Sequence, residues 1–308
     1  LSMQALLLGA AAGWTATPAR PHFHVGCRRE SCIIATAPAV ELLQLLPMVP
    51  PLSPGEVATE ALRVEGAELS APVWLPSCQS VALLDRGNQL LVGSEAQAVS
   101  LASGVRAHAP LVVAIGGEGR WQQGSMLAAS GGSAGSLRCV SAEGDANLGG
   151  VGTVEALPLM EADGLQSAGM LAPLSNGRLL VGLDSGSVVC LSSEDPPVTL
   201  LQDAPGLLGA CVSDNGQNLY LCTPAAIYHC TLDLDEGVCS PPTVVPIVPP
   251  GESARAMTID VDGNLYVATE TGVCIADDRG ELLERISTPS PPSGLCFGGQ
   301  PSRTSTQP

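Results

Sequence analysis

The chain has 308 residues, 45% hydrophobic and 14% charged, enough apolar material for a large buried core and a composition that excludes general disorder. Its formal net charge of −17, with 13 basic residues that are all Arg and are scattered, excludes a nucleic-acid partner, because phosphate binding needs clustered cations. Only 3 Trp, 3 Tyr and 2 Phe are present, so Leu, Val and Ala must fill the core.

Residues 1–55 differ from the rest. "MQALLLGAAAG" is followed by the basic, small-residue segment "TPARPHFHVGCRRESC", the pattern of a secretory signal or of an organelle (plastid-like) transit peptide. These residues are assigned to a targeting or disordered leader. No run approaches the roughly 18 apolar residues of a membrane span, so no transmembrane segment is expected.

From residue 56 a pattern recurs: a polar turn with Asn, Asp or Gly, a strand-like run ending in small residues, then a second run. It appears as "DRGNQLLVGSEAQAVSL" from Asp85, "RWQQGSMLAASGGSAGSLRCV" from Arg120, "SNGRLLVGLDSGSVVCL" from Ser175, "DNGQNLYLCTPAAIYHCTL" from Asp214 and "DVDGNLYVATETGVCIA" from Asp260. The central positions Leu91, Leu127, Leu180, Tyr220 and Tyr266 scatter around the roughly 40 to 50 residues that one four-stranded propeller blade occupies. The repeats predict an all-β fold over residues 56–300: a six-bladed β-propeller of four-stranded antiparallel blades. Its sixth blade joins "PSGLCFGG" near the C-terminus to "EVATEALRVEG" near the N-terminus, closing the ring. A pair of β-sandwiches is the alternative. The polar residues 301–308 are expected to be a disordered tail, and the protein a monomer.

The 11 cysteines form no Cys-x-x-Cys unit and mostly sit in apolar runs, which predicts free core thiols. Several motifs reduce to structure. Ser133 in "GGSAG" lacks the strand-to-helix turn of a nucleophile elbow and reads as a hairpin loop. "GGEGR" at 116–120 lacks the Lys and Ser/Thr of a phosphate loop. Asp260, Asp262 and Asn264 mimic part of a calcium loop, but Gly263 falls too early and no Glu closes it, so a turn is expected. The pair His22 and His24 lies in the leader. His108 and His229 stand without an acid to orient them, which general-base work requires.

The stretch "GNLYVATETGVCIADDRGELLERISTPSPPSGLCFGG" (263–299) resembles the C-terminal signature of the gluconolactonase, senescence marker protein (regucalcin) and luciferin-regenerating-enzyme-like propellers. "APVWLP" (71–76) and "DNGQNLYL" (214–221) resemble that family's first-blade motif and fourth-blade turn. The resemblance implies a six-bladed propeller whose central funnel holds one divalent cation and hydrolyses sugar lactones. A hard cation takes oxygen ligands, polarises the lactone carbonyl and acidifies a water. By the same resemblance the ligands would be a Glu, two Asn and an Asp at the starts of innermost strands.

In this chain the Glu position, four residues before Trp74, is Ser70. Counting back eight residues from Gly216 and Gly263 gives Leu208 and Arg255, and the remaining position, in "SAGML", is Ala168. None of these offers a carboxylate or amide. The expectation is therefore a divergent member that lacks the metal ligands and has no cofactor, and that binds a small molecule in the funnel, with Arg255 paired to a nearby carboxylate. The alternative is a lactone (ester) hydrolase whose Ca, Zn or Mg ion is held by relocated carboxylates, with Glu68, Asp163, Asp184 and Asp214 as candidates.

Overall fold

The computed structural model describes most of residues 165–299 and, before them, the strands between 31 and 161 with a few flanking positions. Six sheets are present among the described residues. β1 (Ser31–Ala37), β2 (Leu42–Pro47) and β3 (Thr59–Arg63) form a sheet with the last strand, β26 (Gly294–Gly299), in the order β26-β1-β2-β3. β4 (Val73–Leu75), β5 (Ser80–Leu84), β6 (Gln89–Val92) and β7 (Gln97–Leu101) form the second by successive antiparallel pairing. β8 (Leu111–Val113), β9 (Met126–Ser130) and β10 (Ser136–Ser141) pair in sequence, β11 (Thr153–Val154) returns to lie parallel to β7, and β12 (Leu157–Glu161) completes the third sheet beside β10.

A short 3-10 turn, Leu165–Ser167, leads into the fourth sheet, β13 (Ala168–Pro173), β14 (Leu179–Leu183), β15 (Val188–Leu191) and β16 (Val198–Leu201). The fifth holds β17 (Gly209–Val212), β18 (Asn218–Cys222) and β19 (Ile227–Asp233), whose outer edge is shared by β20 (Val238–Cys239) and β21 (Thr243–Val245). Pro241 and Pro242 separate those two short strands, as residues without an N–H interrupt a ladder. β22 (Ala256–Ile259), β23 (Leu265–Thr269), β24 (Gly272–Ala276) and β25 (Leu282–Ser287) make the sixth.

The apolar middle strands explain how these sheets stack. β14, β23 and β24 are buried along their whole length, so both faces of each middle strand are covered by neighbouring sheets. Leu127, Leu137, Leu171 and Val181 form the core between the third and fourth sheets, and Met170, Leu180, Leu219 and Cys230 that between the fourth and fifth. Tyr220, Ile227, Leu265 and Val267 fill the next layer, and Tyr266 meets Phe297 of β26 edge to face at 5.1 Å. Trp121 adds a polar tie, its indole N–H donating to Gly177 O at 3.0 Å across sheets. The first strands also touch in sequence: β4 lies against β8, β8 against β13, β13 against β17, β17 against β22, and β26 against both β22 and β4. Stacked sheets of this kind replace the two-layer sandwich considered above. No α-helix occurs among the described residues, and no helix there is long and apolar enough to cross a membrane.

β1 and β2 fall inside residues 1–55, the stretch assigned to a leader, and stand between β26 and β3 in the first sheet. "SCIIATA" and "LLQLLP" are short strand-length runs whose partners are far away in sequence, so a targeting pattern and a strand pattern overlap there. β26 and β3, from the two segments expected to join, are the outermost strands of one sheet rather than neighbours. The tail 301–308 lies outside the described residues.

Candidate functional site

Three of the positions singled out in the sequence, Ala168, Leu208 and Arg255, stand at the starts of first strands. Leu208 immediately precedes β17 and Arg255 immediately precedes β22, each donating its backbone N–H to the end of the second strand, Leu208 to Cys222 O at 2.8 Å and Arg255 to Ala268 O at 2.9 Å. The turn glycines used as rulers, Gly216 and Gly263, hold φ of 72° and 89°, the left-handed region that a side chain resists. Ala168 opens β13 opposite Leu183 and is fully buried, with a bulge at the exposed Gly169. Leu208 is 42% exposed. An aliphatic methyl, an aliphatic isobutyl group and a guanidinium thus occupy the three described positions, and none can donate an oxygen to a hard cation. Ser70 lies outside the described residues.

The candidate carboxylates separate by position. Asp184 follows β14 at the same end as Ala168: its N–H donates to Ser167 O at 3.0 Å, and a Cβ added at Gly169 would meet its Oδ1 at 3.5 Å. Asp214 sits in the β17–β18 turn, two residues past the end of β17, a strand that runs about 13 Å from Leu208 to Val212. It therefore cannot share an ion with that position. Glu68 and Asp163 lie outside the described residues. Among the described residues no group of three or more His, Cys, Asp or Glu side chains is placed to hold a metal ion.

Arg255 has the carboxylate partner that the sequence left unnamed. Its guanidinium lies 3.9 Å from Glu270, both side chains being 36% exposed, and Glu270 also accepts the Ser253 N–H at 2.6 Å. The Ser253 backbone, and secondarily the Arg255 charge, hold the Glu270 carboxyl below its ordinary range. The Arg255 Nε is buried and has no hydrogen-bond partner. Glu270 was legible as a counterpart of Asp184: "LLVGLDSG" and "LYVATETG" both end a second strand in an acid, a hydroxyl residue and a glycine. Beside them, Arg285 pairs with Glu252 and with Thr271 Oγ1, and Thr271 donates to Glu252 at 3.0 Å, a surface cluster spanning the same turns.

Two other sequence candidates resolve into structure. Asp260 is a turn organiser: Oδ1 accepts the N–H groups of Asp262 and Asn264 at 2.9 and 2.8 Å, and Oδ2 accepts Asn264 Nδ2 and the Tyr266 hydroxyl at 2.9 and 3.1 Å. With these donors on both oxygens, the Asp260 carboxylate is taken up by its own chain. His229 Nε2 lies 2.9 Å from Asn218 Oδ1 and its ring packs 5.1 Å from that of Tyr220, a neutral pairing without an acid. Cys190, Cys211, Cys222, Cys230, Cys239 and Cys274 are thiols outside any disulfide, as expected. Burial pushes Cys222 up to about 12, leaving it an unreactive core group.

The stacked, mostly antiparallel sheets of four or five strands, with the candidate positions at the starts of first strands, are the arrangement of a β-propeller. Residues 207–304 match the family described as SMP-30/Gluconolactonase/LRE-like region, so the C-terminal part of the chain carries that region and the resemblance read from its residues is shown. Solved structures agree in fold. A gluconolactonase from Xanthomonas campestris superposes with a TM-score of 0.55 at 19% identity, covering 77% of this chain and 88% of its own. Luciferin-regenerating enzyme gives 0.54 at 14% identity over 75% and 80%. A protein of unknown function from Bacteroides caccae gives 0.63 at 10% identity over 88% and 100%. At these identities the likeness is one of fold. No curated protein sequence matches the chain.

Proposed function

We propose that the chain is a six-bladed gluconolactonase-like propeller, closed by the pairing of β26 with β1, that does not carry out metal-dependent lactone hydrolysis and binds a small molecule in its funnel. The six sheets and the successive contacts of their first strands support the blade count and the closure. The observation that carries the functional reading is Arg255: a fixed positive charge, half-buried at the start of β22 and paired with Glu270, where the family resemblance calls for an oxygen ligand. Repulsion between a guanidinium and a divalent cation at a few ångströms is strong in a partly desolvated site, and Ala168 and Leu208 offer nothing to offset it. The start of β22 then presents a guanidinium paired with the Glu270 carboxylate, and Asp184 stands at the corresponding end of the fourth sheet, polar groups suited to a small polar ligand.

The test is hydrolysis of gluconolactone by the purified full chain, with added calcium or zinc and with chelator. Turnover indistinguishable from the uncatalysed rate in every condition is expected. Chelator-sensitive turnover that metal restores would overturn the proposal and return the relocated carboxylates to consideration.

A further inference from the structure

The fifth sheet carries a second chemistry, remote from the funnel positions. β19 and β20 pair antiparallel with Leu232 opposite Cys239 and Asp233 opposite Val238. Side chains two apart on a strand share a face, so Cys230 and Leu232 point to the side that Cys239 meets from the neighbouring strand. All three belong to one cluster between the fourth and fifth sheets, in which Cys230 is fully buried and Cys239 half-buried. Cys230 and Cys239 are therefore diagonal neighbours on one face of the hairpin.

We infer that Cys230 and Cys239 are a peroxide-responsive thiol pair that closes into a disulfide across the β19–β20 hairpin. Position separates this pair from the other thiols. β20 is an outer strand of two residues, followed by Ser240 and the exposed Pro241 and Pro242, so solvent reaches Cys239 from the rim. Beyond its ladder, β20 is tied to β19 by Ser240, whose N–H donates to Thr231 O at 2.9 Å and whose hydroxyl accepts the Thr231 N–H at 2.8 Å. With only two ladder positions on β20, bringing Cys239 to disulfide geometry disturbs few hydrogen bonds. Cys211 and Cys222, by contrast, sit in the layer between the fifth and sixth sheets with no comparable access.

Access divides the labour. Cys239 is half-buried on the outer strand, its thiol lowered beside Cys230, whereas Cys230 is fully buried and its thiol is raised. Cys239 is then the attacking group and Cys230 the resolving one. The Cys239 sulfur attacks hydrogen peroxide, the O–O bond breaks, and the leaving oxygen takes the thiol proton and departs as water, giving a sulfenic acid. The Cys230 sulfur then attacks the sulfenyl sulfur, the S–O bond breaks, and a second water leaves with the Cys230 proton. Two thiols are oxidised to one disulfide and one peroxide is reduced to two waters.

The experiment exposes the native full chain to hydrogen peroxide and blocks free thiols with a first alkylating reagent after denaturation. Reduction and a second reagent then mark every cysteine that had been oxidised. Asp233, Asp235 and Glu236 lie between the two cysteines, so cleavage at acidic residues separates their peptides unless a disulfide joins them. The expected result is a joined peptide before reduction, with the second label on Cys230 and Cys239 together and ahead of the other cysteines. Cys230→Ala should leave Cys239 as a sulfenic acid captured by a 1,3-dione probe, and Cys239→Ser should leave Cys230 with the first label. The inference is overturned if Cys230 and Cys239 keep the first label while other cysteines oxidise, or if Cys239 over-oxidises with Cys230 still free. The wild-type peptide map decides this by itself, so an unstable variant leaves the test intact.

Discussion

Removing the Asp260 side chain tests whether the acidic turn before β23 is architecture or a cation loop. Its carboxylate accepts four hydrogen bonds, three of them part-buried and the one from Asp262 exposed. A part-buried bond contributes on the order of 1 kcal/mol net, and an exposed one is largely replaced by water. Asp260→Ala should therefore cost about 3 kcal/mol, which for a domain of this size lowers Tm by roughly 6–12 °C. Tyr266→Phe removes one of the same bonds and should cost about 1 kcal/mol, since the buried ring keeps its packing against Phe297. The double variant should fall close to Asp260→Ala alone, a coupling of about 1 kcal/mol. Calorimetry or urea unfolding of the four proteins, with and without millimolar calcium, reads all of this. An Asp260→Ala variant within about 0.5 kcal/mol of wild type would refute the turn-organiser reasoning. So would calcium that stabilises the wild type and not the variant.

Three further outcomes follow from the geometry. Gly272 turns between β23 and β24 with φ 147°, and an added Cβ would come within 2.0 Å of Ile286 O, a backbone atom; Gly272→Ala should lower the unfolding midpoint sharply, whereas Thr271→Ala next door should leave it nearly unchanged. Glu252 is held below its ordinary carboxyl range first by Thr269 and then by Arg285 and Thr271, and Glu270 first by the Ser253 N–H. Depressed folded-state values mean that this stability is complete above the unfolded carboxyl range and is lost as pH falls below about 4.5, so Glu252→Gln should flatten Tm against pH in that acid limb. Arg255→Ala should change stability by less than about 1 kcal/mol, because a pair at 3.9 Å with both partners 36% exposed is largely screened, and a larger loss in urea unfolding would mean that Arg255 holds the site together.

The sequence was most informative where turn chemistry and strand pattern coincide. "DNGQNLYL" and "DVDGNLYV" set the β17–β18 and β22–β23 hairpins, and their glycines located Leu208 and Arg255 one residue before the strands that follow. Partners across the sheets were harder to read. Glu270 reaches Arg255 because the end of β23 folds back beside the start of β22, a register that local pattern does not state. The diagonal placement of Cys230 and Cys239 is likewise a product of the β19–β20 hairpin, since neither cysteine carries a motif. At the N-terminus, short apolar runs between small residues fit a targeting segment and a strand equally well, and β1 and β2 lie within the stretch read as a leader.

The most direct test of the account is the metal content of the full chain, purified without chelator, after dialysis against calcium and zinc in turn and removal of unbound ion. With a guanidinium at Arg255 and aliphatic groups at Ala168 and Leu208, metal well below one equivalent per chain is expected under both conditions. One tightly held equivalent, retained through dialysis and removed by chelator, would contradict the account at its centre.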